Sequence, residues 1–368
     1  MVPDRLDLRA LNRAFLDRQM LLRRSPMKPY EAVEHLIGLQ AQSPNPPYVG
    51  LWTRLQDFTA DALSRLITER RLVRVALMRS TIHLVTDRDC LALRPLVQPV
   101  LERQLKGSAH GRNLAGLDIA EVVAAGRALV EAEPRTTTEL GALLQERWPD
   151  RFPRSLAFAI RNHIPLVQVP PRGLWGKSGQ PSCTSAEHWL GRPVDTASSL
   201  ESMVLRYLGA FGPATVADVQ AWSGLTRLRE IVERLASRVR RFRDDRGKEL
   251  FDLPDAPRPD SAVEAPARFL PEFDNALLSH ADRRRIVTDE QRRRLATSNG
   301  MVPGVVLVDG FLRGTWKVQR TRARATLIIQ PYERIAKADR ASVSEEGSRL
   351  LTFLAPSMEH DVEFAHQA

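Results

Sequence analysis

Leu72-Val-Arg-Val-Ala-Leu-Met78, Arg79-Ser80 and Thr81-Ile-His-Leu-Val85 decide the fold. Two runs rich in β-branched and apolar residues flank a short polar break, which is the pattern of two strands paired as a hairpin. Upstream the period is helical. Apolar residues recur at helical spacing from Leu8 to Leu22, through Leu11, Phe15 and Leu16. Pro26 and Pro29 set the start of a second helix over Tyr30 to Leu39, a third begins near Pro47 and carries Val49, Leu51, Trp52 and Leu55, and a fourth runs from Ala60 to Glu69.

Helices followed by a hairpin make the layout of a winged helix, and the pattern recurs twice. After a loop from His110 to Gly116, the sequence predicts a helix over Asp118 to Glu131 and a helix-start signal at Thr136-Thr-Thr-Glu139. A helix opened by Pro153 follows, then a strand over Pro165 to Val169 that enters a glycine-rich turn from Pro170 to Pro181. The third unit comprises helices over Ser198 to Gly209, Pro213 to Trp222 and Thr226 to Ala236, and a wing of Val239 to Phe242 and Glu249 to Leu253 around Asp244-Asp-Arg-Gly247. Pro254 to Pro266 reads as a stiff surface linker. Beyond it come a short helical segment with Phe273 and Leu277, strands over Gly304 to Val308, Phe311 to Val318 and Thr326 to Ile329, a hairpin turn at Asp309-Gly310, a helix over Val343 to Leu354, and a frayed end at Ala365. The expected fold class is α+β. Three tandem winged-helix motifs occupy residues 1–112, 113–195 and 196–255, and a small antiparallel β-rich region with a terminal helix occupies residues 256–368.

With 368 residues, 43% of them hydrophobic and 27% charged, the chain is globular and long enough for several compact units. Its formal charge is +10, and only six of its 54 basic residues are lysine. A GC-rich genome accounts for arginine over lysine but not for the net charge. Guanidinium forks suit phosphate, so a polyanion is the leading class of partner. The basic residues fall into groups: Arg70, Arg71, Arg74 and Arg79 at the first hairpin, Arg172 with Trp175 and Lys177 on the second wing, and Arg313, Lys317, Arg320, Arg322 and Arg324 in the C-terminal hairpin region. Distributed cations of this kind fit phosphate contacts, although a solvated charged face has the same composition. Arg283 to Arg285 and Arg292 to Arg294 read as helical. Tandem helix-turn-helix units point to nucleic acid ahead of pure protein docking.

Cys90 and Cys183 read as buried thiols, without disulfide or metal-ligand spacing. No run approaches the ~18 apolar residues of a spanning helix, and the N-terminus lacks the apolar core of a signal peptide. The expectation is a cytoplasmic, nucleoid-associated protein with no membrane partner. Walker A, Ser-His-Asp and metal-ligand patterns are lacking, so no cofactor and no metal are expected.

Gly38-Leu-Gln40-Ala-Gln42-Ser43, followed by Pro44, Pro46 and Pro47, places two neutral amides on what reads as a helix-to-loop junction. From the residues alone, Gln40 and Gln42 fit a helix-end cap as well as a catalytic pair. His83 shares a strand face with Thr81 and Val85, either toward a cleft or as a satisfied structural group.

The chain resembles the winged-helix DNA glycosylases of the AlkZ and YcaQ type. The resemblance runs over nearly its whole length, through Leu11-Asn-Arg13, Asp17-Arg-Gln19, Gly38 to Gln42, Leu51-Trp-Thr-Arg-Leu55, Met78 to Val85, Gly173-Leu-Trp175, Leu270-Pro-Glu-Phe-Asp274, Val306 to Gly310 and Gly314-Thr-Trp316. It implies a concave basic DNA channel and a catalytic Gln-apolar-Gln motif at Gln40, Ala41 and Gln42, in the AlkZ-like branch rather than the aspartate-bearing one. It further implies a monofunctional glycosylase acting on N7-alkylguanine in double-stranded DNA, including bulky adducts and interstrand crosslinks. The setting is base excision repair and self-resistance to an azinomycin-type genotoxin in a high-GC actinobacterium. Thr81, His83, Arg79, Arg172, Trp175, Lys177, Lys317, Arg320 and Arg322 are then candidates for contact with DNA or lesion. A monomer with no required protein partner is expected. Two other readings stand beside this one, a non-enzymatic winged-helix regulator and a DNA-remodelling or protein-interaction scaffold.

Overall fold

A computed structural model of the chain describes residues 4–295 and 300–365. Met1 to Pro3, part of the N-terminal stretch read above, lie outside the described residues. The first unit follows the sequence closely, with helices Leu8–Arg18, Pro29–His35, Pro46–Trp52 and Ala60–Thr68 ahead of strands Leu72–Ala76 and Ile82–Thr86. Local chemistry sets these boundaries. Asp7 accepts from the Ala10 N–H, Thr59 accepts from the Ala62 N–H, and Pro29 and Pro46 open their helices where no amide donor is needed.

The hairpin is not a free wing. It lies within a six-stranded sheet ordered Leu39–Gln40, Ile82–Thr86, Leu72–Ala76, Leu166–Gln168, Ser182–Ser185 and Arg135–Thr136. Pairing of Arg74 with Gln168 and Val75 with Val167 fuses the first two wings into one surface. Both faces of its centre are covered. Leu39, Ala41, Leu72 and Leu84 pack among Leu36, Leu51, Leu63 and Ile67, while Val73, Val75 and Val85 face a larger core containing Cys90, Leu101 and Phe211. Such two-sided burial explains why Leu72 to Met78 reads as a nearly continuous apolar run.

Helices Asp87–Leu96, Gln98–Gly107 and Ala109–Asn113 occupy the region after the hairpin, so the expected loop at His110 to Gly116 is a short helix at its start. Pro95 and Pro99 interrupt the helical period there. The available signal was Thr86, whose hydroxyl caps the Asp89 N–H. Helices Ile119–Ala132, Thr137–Arg147 and Pro153–His163 complete the second unit, the middle one opened by the reciprocal Thr136–Glu139 cap.

In the third unit, helices Leu200–Phe211, Val216–Ser223 and Arg229–Arg234 precede a wing of Arg240–Asp244 and Glu249–Asp252. Asp4–Leu6 adds a parallel third strand to that wing. Pro254 to Pro266 carries no helix or strand, as expected of a linker, but is strapped down. Arg9 and Arg13 of the first helix donate to the Ser261 and Val263 carbonyls at 2.7 and 2.5 Å, and Arg18 donates to the Pro257 carbonyl at 3.0 Å.

The C-terminal sheet runs Arg268–Leu270, Gly304–Val308, Phe311–Arg320, Arg324–Pro331 and Glu359–Phe364. Asp309 and Gly310, with φ of 48° and 78°, make the left-handed two-residue turn that the sequence announces. Three expectations are corrected. The sheet is mixed, because helix Lys337–Leu354 crosses over and returns the chain parallel to Arg324–Pro331. The end is not frayed at Ala365, whose N–H donates to the Ile329 carbonyl at 2.8 Å. Arg283 to Arg285 form a turn rather than a helix, whereas Arg292 to Arg294 lie in helix Asp289–Leu295.

Buried ion pairs join the units. Arg18 meets Asp252 at 2.6 Å, Arg54 meets Asp274 at 2.8 Å, and Arg24 and Arg268 share Glu346 at 2.7 and 3.3 Å. Asp252 also receives Arg258 at 2.6 Å and is fully buried. Removing one carboxylate strands buried cations, so Asp252→Ala is expected to lower unfolding free energy by about 3–5 kcal/mol, read by urea denaturation.

Candidate catalytic site on the sheet edge

Ile37 and Gly38, both left-handed at φ of 54° and 91°, end helix Pro29–His35 and swing the chain into the edge strand Leu39–Gln40. A Cβ on Gly38 would sit 2.5 Å from Val85 Cγ1, so glycine is required. The glutamine motif therefore begins on a strand, not at the helix-to-loop junction expected. Leu39 pairs with Leu84 and Gln40 with His83, and the Ala41 N–H donates to the Ile82 carbonyl at 2.7 Å. Strand alternation sends Leu39 and Ala41 into the core and Gln40 to the opposite face. Ala41 is fully buried, and the small side chain fits.

The amides are oriented by donors. Arg79 Nη2 donates to Gln40 Oε1 at 2.8 Å, and the Ile82 N–H donates to Gln42 Oε1 at 3.1 Å. Each carbonyl end therefore faces the protein, which assigns the two ends of each amide from the hydrogen-bond network. Arg74 fastens the loop from behind, reaching the Ala41 carbonyl at 2.7 Å, the Ser43 carbonyl at 3.3 Å and Gln168 Oε1 at 3.0 Å. Gln40 is buried and Gln42 is exposed.

Of the proposed contact residues, Thr81, His83 and Arg79 gather here. Thr81 donates its hydroxyl to the Met78 carbonyl at 3.0 Å. His83 is fully buried, with Nδ1 placed to donate to the Thr81 carbonyl at 3.0 Å and Nε2 without a partner. Burial, reinforced by the charge of Arg79, pushes its pKa down to about 3. The imidazole is neutral near pH 7. Arg79 has intermediate exposure, but its guanidinium is turned inward onto Gln40, Asn275 and the Trp222 carbonyl.

Arg172, Trp175 and Lys177 lie on the second-wing loop next to this group. The loop is tied down by Tyr48, whose hydroxyl donates to the Gly173 carbonyl at 2.8 Å, and by the close approach of Gly173 to Arg74. Trp175 packs against Tyr48 and Phe353 at ring separations of 4.9 and 5.2 Å. Arg172 donates to the Gly179 carbonyl at 2.5 Å, and Lys177 is exposed. Lys317, Arg320 and Arg322 are exposed on the C-terminal hairpin. They connect to this region only at its margin, where Arg320 reaches the Leu354 carbonyl at 3.0 Å, beside Phe353. Arg70 and Arg71 are spent on the Trp189 and Tyr30 rings, at 4.0 and 4.5 Å.

Sequence reading missed two members of the site. Arg74 was grouped with surface cations, but it is buried and its pKa falls to about 10 through desolvation; its place within an apolar strand was the signal. Asn275 had no signal. Its amide donates to the Gly38 carbonyl at 3.2 Å and its Oδ1 accepts from Arg79 at 3.1 Å. Among the described residues, no group of three His, Cys, Asp or Glu side chains is placed to hold a metal, and no helix is long and apolar enough to cross a membrane.

Comparison with known proteins matches the chain to a family. A model described as DNA glycosylase AlkZ-like fits residues 33–353. An interstrand DNA cross-link repair glycosylase of Streptomyces sahachiroi is 21% identical over 369 aligned positions, covering 91% of this chain and 93% of that protein. The structure of the Streptomyces sahachiroi DNA glycosylase AlkZ superposes with a TM-score of 0.82 at 18% identity, covering 98% of this chain and all of that one.

The depressed histidines carry a sign that can be tested. His83 and His280, the latter also lowered to about 3 by burial and then by Arg285, resist protonation in the folded state but accept it at their ordinary value of 6.5 when unfolded. Their contribution is therefore present above pH 6.5 and is lost as pH falls toward 3. Unfolding free energy should decline on acidification below pH 6.5, and His83→Gln should flatten that slope by up to about 1.4 kcal/mol per pH unit, measured by urea denaturation across the range.

Proposed function

The chain belongs to the AlkZ-like DNA glycosylase family, and from that premise we propose that it is a monofunctional glycosylase of N7-alkylguanine in double-stranded DNA. The observation that carries this reading is the pair Gln40, on the edge strand, and Gln42, just past its end, each with its amide oriented by a fixed protein donor. Alkylation at N7 places a positive charge on the guanine, so the base departs as a neutral heterocycle. A strong general acid is then dispensable, which accords with a site holding neutral His83 and two amides. What remains is to set a water behind the anomeric carbon while the sugar takes on oxocarbenium character.

Amides are suited to that task by geometry rather than by basicity. Each carbonyl oxygen has a second lone pair that can accept a hydrogen bond from the water and orient it, while the NH2 end grips a phosphate or sugar oxygen. Among the described residues the donors to the two glutamine carbonyls are Arg79 and the Ile82 N–H rather than a lysine, which favours hydrolysis to an abasic site over Schiff-base chemistry. Because Gln42 is exposed at the end of the edge strand, a bulky adduct need not be swung fully into a tight pocket. We extend the reading to bulky natural-product adducts and to interstrand crosslinks of the azinomycin type; the relative from Streptomyces sahachiroi, an interstrand DNA cross-link repair glycosylase, supports the crosslink part alone. The protein acts as a monomer on duplex DNA, with the exposed Lys177, Lys317 and Arg322 meeting phosphates.

Duplex DNA carrying a defined N7-alkylguanine, incubated with excess protein and then treated with alkali, reads base release directly. Gln40→Ala and Gln42→Ala are each expected to lower the single-turnover rate by about 100-fold or more with folding and DNA affinity retained. Tight duplex binding by the unaltered protein without release from simple or crosslinked lesions would overturn the enzymatic reading in favour of a regulator.

A further inference from the structure

Resting on that reading, we propose that Arg79 is a positioning residue that acts through Gln40 rather than a contact to DNA phosphate. Its three hydrogen bonds all run inward, to Gln40 Oε1 at 2.8 Å, to Asn275 Oδ1 at 3.1 Å and to the Trp222 carbonyl at 2.5 Å. One guanidinium therefore ties the catalytic strand edge, the segment after the C-terminal sheet's first strand, and the end of helix Val216–Ser223 to a single point. Asn275 closes the ring by donating to the Gly38 carbonyl, directly before the glutamine strand.

The backbone is arranged to aim this side chain. Arg79 and Ser80 are both left-handed, at φ of 55° and 56°, a conformation that costs about 1–2 kcal/mol per non-glycine residue. Tertiary contacts hold the turn in that state. Gly224 presses so closely that a Cβ there would lie 3.3 Å from the Arg79 Cα, and Arg161 donates to the Ser80 carbonyl at 3.1 Å. Strain kept in place at a candidate site is the signature of a residue selected for where it points.

The partners of Arg79 are all neutral, and its charged neighbours are Arg283 rather than any carboxylate. Arg18 and Arg54 each meet an acid, Asp252 and Asp274, whereas Arg79, like Arg74, is held by neutral groups. Donation from a cation to Gln40 Oε1 locks the amide and strengthens the outward N–H as a donor. A carboxylate in place of Asn275 would capture the guanidinium and leave the Gln40 amide free to rotate. Gln40 presents a fixed N–H to a DNA oxygen because Arg79 is left without an anion of its own.

Single-turnover base release, DNA affinity and its salt dependence, measured on the full chain, separate this role from its rivals. Arg79→Gln should lower the rate at saturating protein by about 100-fold with DNA affinity and salt slope unchanged, and Arg79→Lys should recover part of the loss. A phosphate contact predicts the reverse, an unchanged saturated rate with the slope of log affinity against log salt reduced by about 0.9, and that result would overturn the proposal. So would equal rates in Arg79→Gln and the unaltered protein. If Arg79→Gln does not fold, Asn275→Asp keeps the guanidinium but offers it a competing acid. A tenfold or greater loss of saturated rate in that variant supports the proposal, and an unchanged rate overturns it. Absence of base release by the unaltered protein would instead overturn the glycosylase reading, which the same assay records first.

Discussion

The ion pair between Arg54 and Asp274, with both side chains sealed from solvent, fixes the geometry on which the site depends. Arg54 lies just past helix Pro46–Trp52 and Asp274 follows strand Arg268–Leu270, so the pair joins the first unit to the C-terminal region. The pairing is bidentate, at 2.8 Å on both oxygens. Asp274 also caps the turn Asn275–Leu277 through the Ala276 N–H, and this orients the neighbouring Asn275. Asn275 then holds the Gly38 carbonyl and Arg79, and Arg79 holds Gln40. A contact between units far apart in sequence thus sets the angle of one amide on the sheet edge.

Much of this fold was legible because local chemistry and the hydrophobic period agreed. Thr136 to Glu139 and Thr215 to Asp218 are reciprocal caps in the structure, and Asp309-Gly310 takes the turn its residues favour. The strand Glu359–Phe364 was not legible, since Val362 and Phe364 alone make its apolar face among Glu359, His360, Asp361 and Glu363. Fusion of two wings into one sheet was also hidden. It depends on pairing between Leu72–Ala76 and Leu166–Gln168, far apart in the chain, and nothing in either run distinguishes a free wing edge from a paired one.

The two amides of the candidate site were legible in the sequence, but the scaffolding that holds them was not. Gln40 and Gln42 stand out because two amides at alternate positions are unusual beside an apolar core. The arginines misled, because composition counts charges without saying where they go. Arg13, Arg18, Arg54, Arg74 and Arg268 are buried and serve as struts, each using several donors to collect carbonyls or carboxylates from distant segments. An arginine-rich sequence in a protein of several units therefore signals internal stitching as much as affinity for polyanions. Only side chains that remain exposed, such as Lys177, Lys317 and Arg322, keep their charge available to a partner.

That distinction bears on why the proposed catalytic pair is uncharged. Desolvation lowers the pKa of Arg79 to about 10, yet the guanidinium still carries its charge near neutral pH, beside Gln40 and the neutral His83. A carboxylate at position 40 would meet that cation in a partly desolvated setting, and the resulting ion pair would consume both groups. An amide accepts one hydrogen bond from the cation and retains a lone pair and two N–H donors. Neutrality at Gln40 lets the same side chain be held rigidly from within and remain able to bond outward.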